Sequence, residues 1–203
     1  MPKTPQVRED ILLRRAARGD EESFVFLYRA HQGGLYRFAL RMSGSAWAAE
    51  EIVQDVFMTL LREPGKFDPS RGALGAYLFG IARNRVLKYL ERIPREVPLD
   101  SDGQVSAESQ SGAAANLVHM QTPAAWAEQK QRAEQIRAAV MDLPPEFREA
   151  VVLCELEELS YEEAARLLDC PIGTIRSRLH RARALLLTKL EMWRSDPRRA
   201  TAR

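Results

Sequence analysis

The stretch Ser160-Tyr161-Glu162-Glu163-Ala164-Ala165-Arg166-Leu167-Leu168-Asp169-Cys170-Pro171-Ile172-Gly173-Thr174-Ile175-Arg176-Ser177-Arg178-Leu179-His180-Arg181-Ala182-Arg183 reads as two short helices joined by a tight turn. Ser160 and Glu163 have the spacing of a capping box, in which the hydroxyl accepts from the Glu163 amide and the carboxylate reaches back to the Ser160 amide. Ala164, Ala165, Leu167 and Leu168 give the first helix an apolar side, and Asp169-Cys170-Pro171 turns the chain. The second helix opens around residues 172–174 and directs Ile175, Leu179 and Ala182 inward at three- and four-residue steps. Arg176, Ser177, His180, Arg181 and Arg183 then project outward, with Thr174 at the helix start. A basic second helix behind a non-basic first one is the helix-turn-helix pattern. Arginine suits its outer face because the planar guanidinium can bond two acceptors on a guanine edge or clamp a phosphate, and the helix start offers free amides to a phosphate.

Charge supports a polyanion partner. The 203 residues carry 30 Lys+Arg against 28 Asp+Glu, a net charge of only +2, yet the charges are segregated. Residues 171–194 hold six bases and one acid, residues 142–169 hold nine acids and two bases, and residues 80–95 hold five bases and one acid. Two separate basic stretches in a near-neutral chain point to a polyanion touched at two places.

Working outward from the turn, helical periodicity continues and strand signals are nearly absent. Upstream, a helix near Ala124 runs toward Asp142 and stops at Leu143-Pro144-Pro145; the next helix is expected to bury Phe147, Val151, Val152 and Leu156. Residues 94–123, with Pro94, Pro98 and Pro123 among Ser, Gly, Gln and Asn, read as a flexible linker. Thirty residues span at most ~100 Å when extended. Before it come three helical patterns: one carrying Phe24, Leu27, Tyr28, Leu35, Tyr36, Ala39 and Leu40; one from Ala46 to a stop before Pro64-Gly65; and one from Tyr77 to Leu90. Gly33-Gly34 interrupts the first and predicts a kink or break there, since each glycine costs about 1 kcal/mol against alanine. The expected architecture is all-α: an N-terminal helical domain over residues 1–93, the linker over 94–123, a helix-turn-helix domain over 124–194, and a frayed tail over 195–203.

Composition excludes several classes. Forty-five per cent hydrophobic and 29% charged residues is ordinary globular usage. No apolar run approaches the ~18 residues of a membrane helix, and residues 1–20 lack the apolar core of a secretory signal; a cytoplasmic protein without membrane insertion is expected. Two cysteines make no disulfide framework, and no Cys/His spacing resembles a zinc site, so neither metal nor cofactor is expected. His31, His119 and His180 are isolated, and no phosphate loop or nucleophile elbow occurs, so an enzyme is not expected. Cys154 reads as buried, and Cys170 as a redox candidate in the turn.

The stretch Ser160–Arg183 closely resembles the promoter-binding C-terminal domain of extracytoplasmic-function sigma factors. Tyr36-Arg37-Phe38-Ala39-Leu40, Ala49-Glu50-Glu51-Ile52-Val53-Gln54-Asp55-Val56-Phe57 and Ile81-Ala82-Arg83-Asn84 resemble that family's N-terminal domain, in the right order. The resemblance implies that Glu50, Glu51, Gln54, Asp55 and Phe57 dock on core RNA polymerase. It implies that residues 66–88 open the −10 promoter element and hold its single strand. Arg71, Tyr77, Arg83, Asn84 and Lys88 are the expected contacts there, with Arg85 and Phe79 beside them; aromatics would stack bases and cations would track the backbone. It implies that Thr174, Arg176, Ser177, Arg178, His180 and Arg181 read the −35 duplex. The family is monomeric when free and often has an anti-sigma partner. Tyr77 stands where the family usually has Trp, Lys88 where an acid is common, and Asp169 where Gly is usual in the turn. The rival reading, a dimeric helix-turn-helix repressor, explains Ser160–Arg183 but leaves the Asp55-Val56-Phe57 and Ala82-Arg83-Asn84 stretches without a role.

Overall fold

A computed structural model describes residues 8–92 and 123–195, and all regular structure among them is helical. The first half contains α1 (Glu9–Ala16), α2 (Glu21–Ser43), α3 (Ala46–Arg62), a single 3-10 turn at Pro64–Lys66, and α4 (Leu74–Arg92). The second contains α5 (Pro123–Met141), α6 (Pro145–Val151), a π-helical turn at Val152–Leu156, α7 (Tyr161–Leu167) and α8 (Ile172–Ser195).

Local chemistry sets the helix ends. Asp20 caps α2, its carboxylate accepting from the Ser23 amide and hydroxyl, and Ser45 caps α3 by accepting from the Ala48 amide. Gly44 ends α2 in the left-handed conformation at φ 72°, which glycine adopts without the Cβ clash. The capping box at Ser160 is formed in both directions. Asp169, at φ 50°, takes the left-handed position that closes α7, while the Cys170 amide donates to the Ala165 carbonyl across it.

Helices α2, α3 and α4 pack on one another, and α1 lies against α2. Leu13, Leu27, Leu35, Phe38, Val56, Leu60, Leu74, Leu78 and Val86 are the largest fully covered side chains of this half; in the second half Leu153, Ile175 and Leu179 fill the same role. The two sets belong to one continuous buried cluster, because α4 packs against α7 and α2 against α5 and α6.

Three expectations change. Helix α2 runs unbroken through Gly33-Gly34. A Cβ on Gly34 would stand 3.1 Å from Glu157 Oε2 and 3.4 Å from Phe79 Cζ, so the close approach of Glu157 from the other half and of Phe79 from α4 favours a glycine there. The helix after Pro145 does not continue regularly to Leu156: the Glu157 amide donates back five residues to Val152, and the extra residue rotates Leu156 outward to 36% exposure. Helix α1, absent from the sequence reading, buries Leu13 and Ala16 on α2 and pairs Glu9 with His31 at 2.9 Å.

Candidate nucleic-acid interface

Helix α8 divides by side as its periodicity requires. Ile175, Leu179 and Ala182 are buried. Arg176, Ser177, His180 and Arg181 are exposed, Thr174 and Arg178 are partly so, and the Ser177 hydroxyl donates to the Thr174 carbonyl at 2.9 Å. Neither Arg176 nor Arg181 has a carboxylate partner among the described residues. Arg183 and Lys189 differ: they bond to Glu155 and Asp142 of their own half.

Helix α4 sorts the other expected DNA contacts into separate faces. Tyr77, Asn84 and Lys88 are spaced i, i+7, i+11 and so line one face; Asn84 and Lys88 are exposed. Tyr77 is half-buried, its ring 5.6 Å from that of Phe67. Arg71 is exposed in the loop before α4, next to an Asp68 carboxylate that accepts from the Ser70 amide and hydroxyl. Arg83 lies apart from this group. Its Nε donates to Glu149 Oε1 of α6 at 2.8 Å, and Glu149 is 7% exposed. Arg85 turns toward α3 instead, donating to the Thr59 hydroxyl and pairing with Asp55 at 3.4 Å. Phe79 is core, edge-on to Phe38 at 5.6 Å, and cannot stack on a base without leaving it.

On α3, Glu50, Glu51 and Gln54 are exposed and Asp55 is partly so. Phe57 is not on this surface; it is 3% exposed, with its ring 4.8 Å from Tyr28 and 6.1 Å from Phe24. The apolar groups that share the exposed face are Trp47 and Met58, which with Glu51 and Gln54 follow i, i+4, i+7, i+11 spacing. That spacing was visible in the sequence and would have found them.

Between the halves lies a set of ion pairs that sequence reading missed. The Glu157 side chain is 2% exposed; it accepts from Arg37 Nε and Nη2 at 3.1 and 2.8 Å and from Arg41 Nη1 at 2.9 Å. Burial, with Arg37 and Arg137 nearby, draws the Arg41 guanidinium below its ordinary pKa, while Glu157 acts in the opposite direction. Arg148 adds a bond from Nη1 to the Met42 carbonyl. With pairs separated by more than a hundred residues, no local pattern could have revealed them.

Cys154 is half-buried and burial pushes its thiol up to about 11, which keeps it protonated at neutral pH. Among the described residues no group of three or more His, Cys, Asp or Glu could hold a metal ion, and no helix is long and apolar enough to cross a membrane.

Residues 27–95 match the family model of sigma-70 region 2, and residues 133–186 match that of sigma-70 region 4. The chain is 35% identical over 177 residues to the ECF RNA polymerase sigma factor SigE of Mycolicibacterium smegmatis, covering 84% of this chain and 63% of that one. It is 32% identical over 193 residues to the ECF RNA polymerase sigma-E factor of Escherichia coli K12, covering 92% of this chain and 96% of that one. Its fold is similar to that of the sigma factor RpoE solved in complex with the anti-sigma factor NepR from Bartonella quintana, at TM-score 0.62, 30% identity, and 84% and 98% coverage.

Proposed function

The chain belongs to the extracytoplasmic-function sigma factors of the sigma-70 family, and on that premise we propose how its two halves divide the work. The protein directs core RNA polymerase to promoters, recognising a −35 and a −10 element. In our reading residues 124–194 bind the −35 duplex through α8: Arg176 and Arg181 reach base edges, and Thr174, Ser177, Arg178 and His180 surround them. Residues 1–93 bind the polymerase and the opened −10 strand. The α3 face with Glu50, Glu51, Gln54 and Asp55 meets a basic surface of the polymerase, and Trp47 and Met58 supply the desolvated apolar anchors first sought in Phe57. Tyr77, Asn84 and Lys88 on α4, with Arg71 before it, take the single strand, and Arg83 joins them when Glu149 lets it go. The protein is a cytoplasmic, non-enzymatic factor, monomeric when free, and an anti-sigma protein is a fitting regulator, as for the Bartonella relative.

The observation that carries this reading is α8 itself, a helix with a buried Ile175–Leu179–Ala182 stripe and an outer face on which Arg176 and Arg181 are bound to no carboxylate among the described residues. A repressor would need only that half, whereas both halves match sigma-70 regions. Run-off transcription with purified core polymerase on a promoter library, with and without this protein, tests it. Promoter-specific transcripts that require both are expected; duplex binding by a dimer without polymerase would overturn the assignment.

A further inference from the structure

Helix α8 treats two arginines on the same flank differently. Arg176 and Arg183 are seven residues apart and so lie on one side of the helix, about 10 Å from each other along its axis. Arg176 has no carboxylate partner among the described residues. The Arg183 guanidinium donates from Nη2 to Glu155, with the Tyr161 hydroxyl as a second partner. Glu155 belongs to the π turn, and the residue that this turn inserts changes where the side chains around it point. The pair Lys189–Asp142 repeats the arrangement on the other side of the buried stripe, but Lys189 stands about 9 Å farther along the helix.

In a helix-turn-helix the start of the second helix meets base edges, while phosphate contacts set orientation and supply the sequence-independent grip. A major groove about 12 Å wide places a phosphate strand on either side of the helix. On the flank that carries Arg176 the next cation along is Arg183, and an arginine fork suits a phosphate. Its side chain is 55% exposed and so within reach of a partner from outside. Its donor, however, already has an anion. Exposed ion pairs are weak, so a carboxylate already in place and a DNA phosphate compete for this guanidinium on comparable terms.

We propose that Glu155 is a phosphate decoy. It holds Arg183 off the DNA backbone, limits the sequence-independent part of −35 binding, and leaves base readout to Arg176 and Arg181. Glu155 touches no DNA in this role; it acts through Arg183. The decoy rests on the reading of α8 as the −35 helix given above.

The test uses the full chain assembled with core polymerase, and reads binding to promoter DNA and to DNA without a −35 element across a salt series. In Glu155→Gln the freed arginine neutralises one more phosphate, so the slope of log affinity against log salt steepens by about 0.9. Affinity then falls about 3.5-fold further than for the unmodified protein between about 50 and 200 mM salt, while base preferences in a −35 selection stay unchanged. Arg183→Gln alone leaves the slope as it is, and the steepening vanishes when Glu155→Gln is combined with it. Glu146→Gln, which removes an exposed acid with no cation partner among the described residues, leaves the slope unchanged. A steepening that survives without Arg183, or that Glu146→Gln reproduces, would reflect loss of negative charge alone and overturn the decoy. So would an unchanged slope in Glu155→Gln. Glu155→Ala is measured beside it, with circular dichroism as the check on helicity, so that one variant decides if the other unfolds. Failure of the −35 reading looks different: the unmodified complex would then bind both DNAs alike.

Discussion

Helices α4 and α8 are both basic and amphipathic, and both come from stretches that looked alike in charge, yet the fold commits their cations in opposite ways. On α8 the arginines Arg176 and Arg181 face solvent without a carboxylate partner among the described residues, while the later Arg183 and Lys189 are tied down. On α4 the central arginines are engaged, Arg83 across the molecule with Glu149 and Arg85 next door with Asp55, which leaves Asn84 and Lys88 exposed. A count of basic residues therefore measures what a helix could offer nucleic acid, while the partner list measures what it offers in a given state.

The largest expected effect removes the support of the free row. Leu179 is 1% exposed beneath the recognition face, so Leu179→Ala should cost about 2–5 kcal/mol in chemical denaturation and abolish −35 duplex binding with it. A loss below 1 kcal/mol would mean that α8 does not depend on this core.

The next pair sets the two helices against each other. Arg83→Ala leaves the buried Glu149 carboxylate without its partner and should lower stability by about 1–3 kcal/mol. Arg181→Ala should leave stability within about 0.5 kcal/mol but flatten preference at a single −35 base pair, worth about 1–3 kcal/mol in a binding-site selection. Equal melting shifts for the two would erase the distinction drawn between the helices. Intact −35 preference in both Arg176→Ala and Arg181→Ala would leave α8 a backbone clamp only.

Smallest is Lys189→Ala. Its pair with Asp142 is largely exposed, so about 0–1 kcal/mol of stability is expected, together with at most a fall of about one in the salt slope of DNA binding. A changed base preference would show that Lys189 reads sequence.

Much of this was legible because it is local. The capping box at Ser160, the proline stop before α6 and the inward stripe of α8 are each written within a few residues, and Asp169 was already marked at the turn where it adopts φ 50°. Helix α1 is hidden by its four charged residues and its eight-residue length; so short a helix is made by packing on α2 rather than by its own propensity. The π turn escaped because one inserted residue leaves a 3.6-residue pattern looking regular on either side. Phe57 was assigned outward because an apolar residue beside Asp55 is ambiguous until Phe24 and Tyr28 are known to cover it. The ion pairs between the halves join positions 66 to 120 residues apart and have no sequence signature.

Trp47 has a consequence of an optical kind. Its indole is 66% exposed at the head of α3, so its fluorescence in the free protein should be that of a solvated chromophore, emitting toward the red and open to quenching by iodide. A partner that covers α3 would shift that emission to the blue and shield it. With Trp126 and Trp193 replaced by phenylalanine, the one remaining indole would report docking in real time without any attached dye.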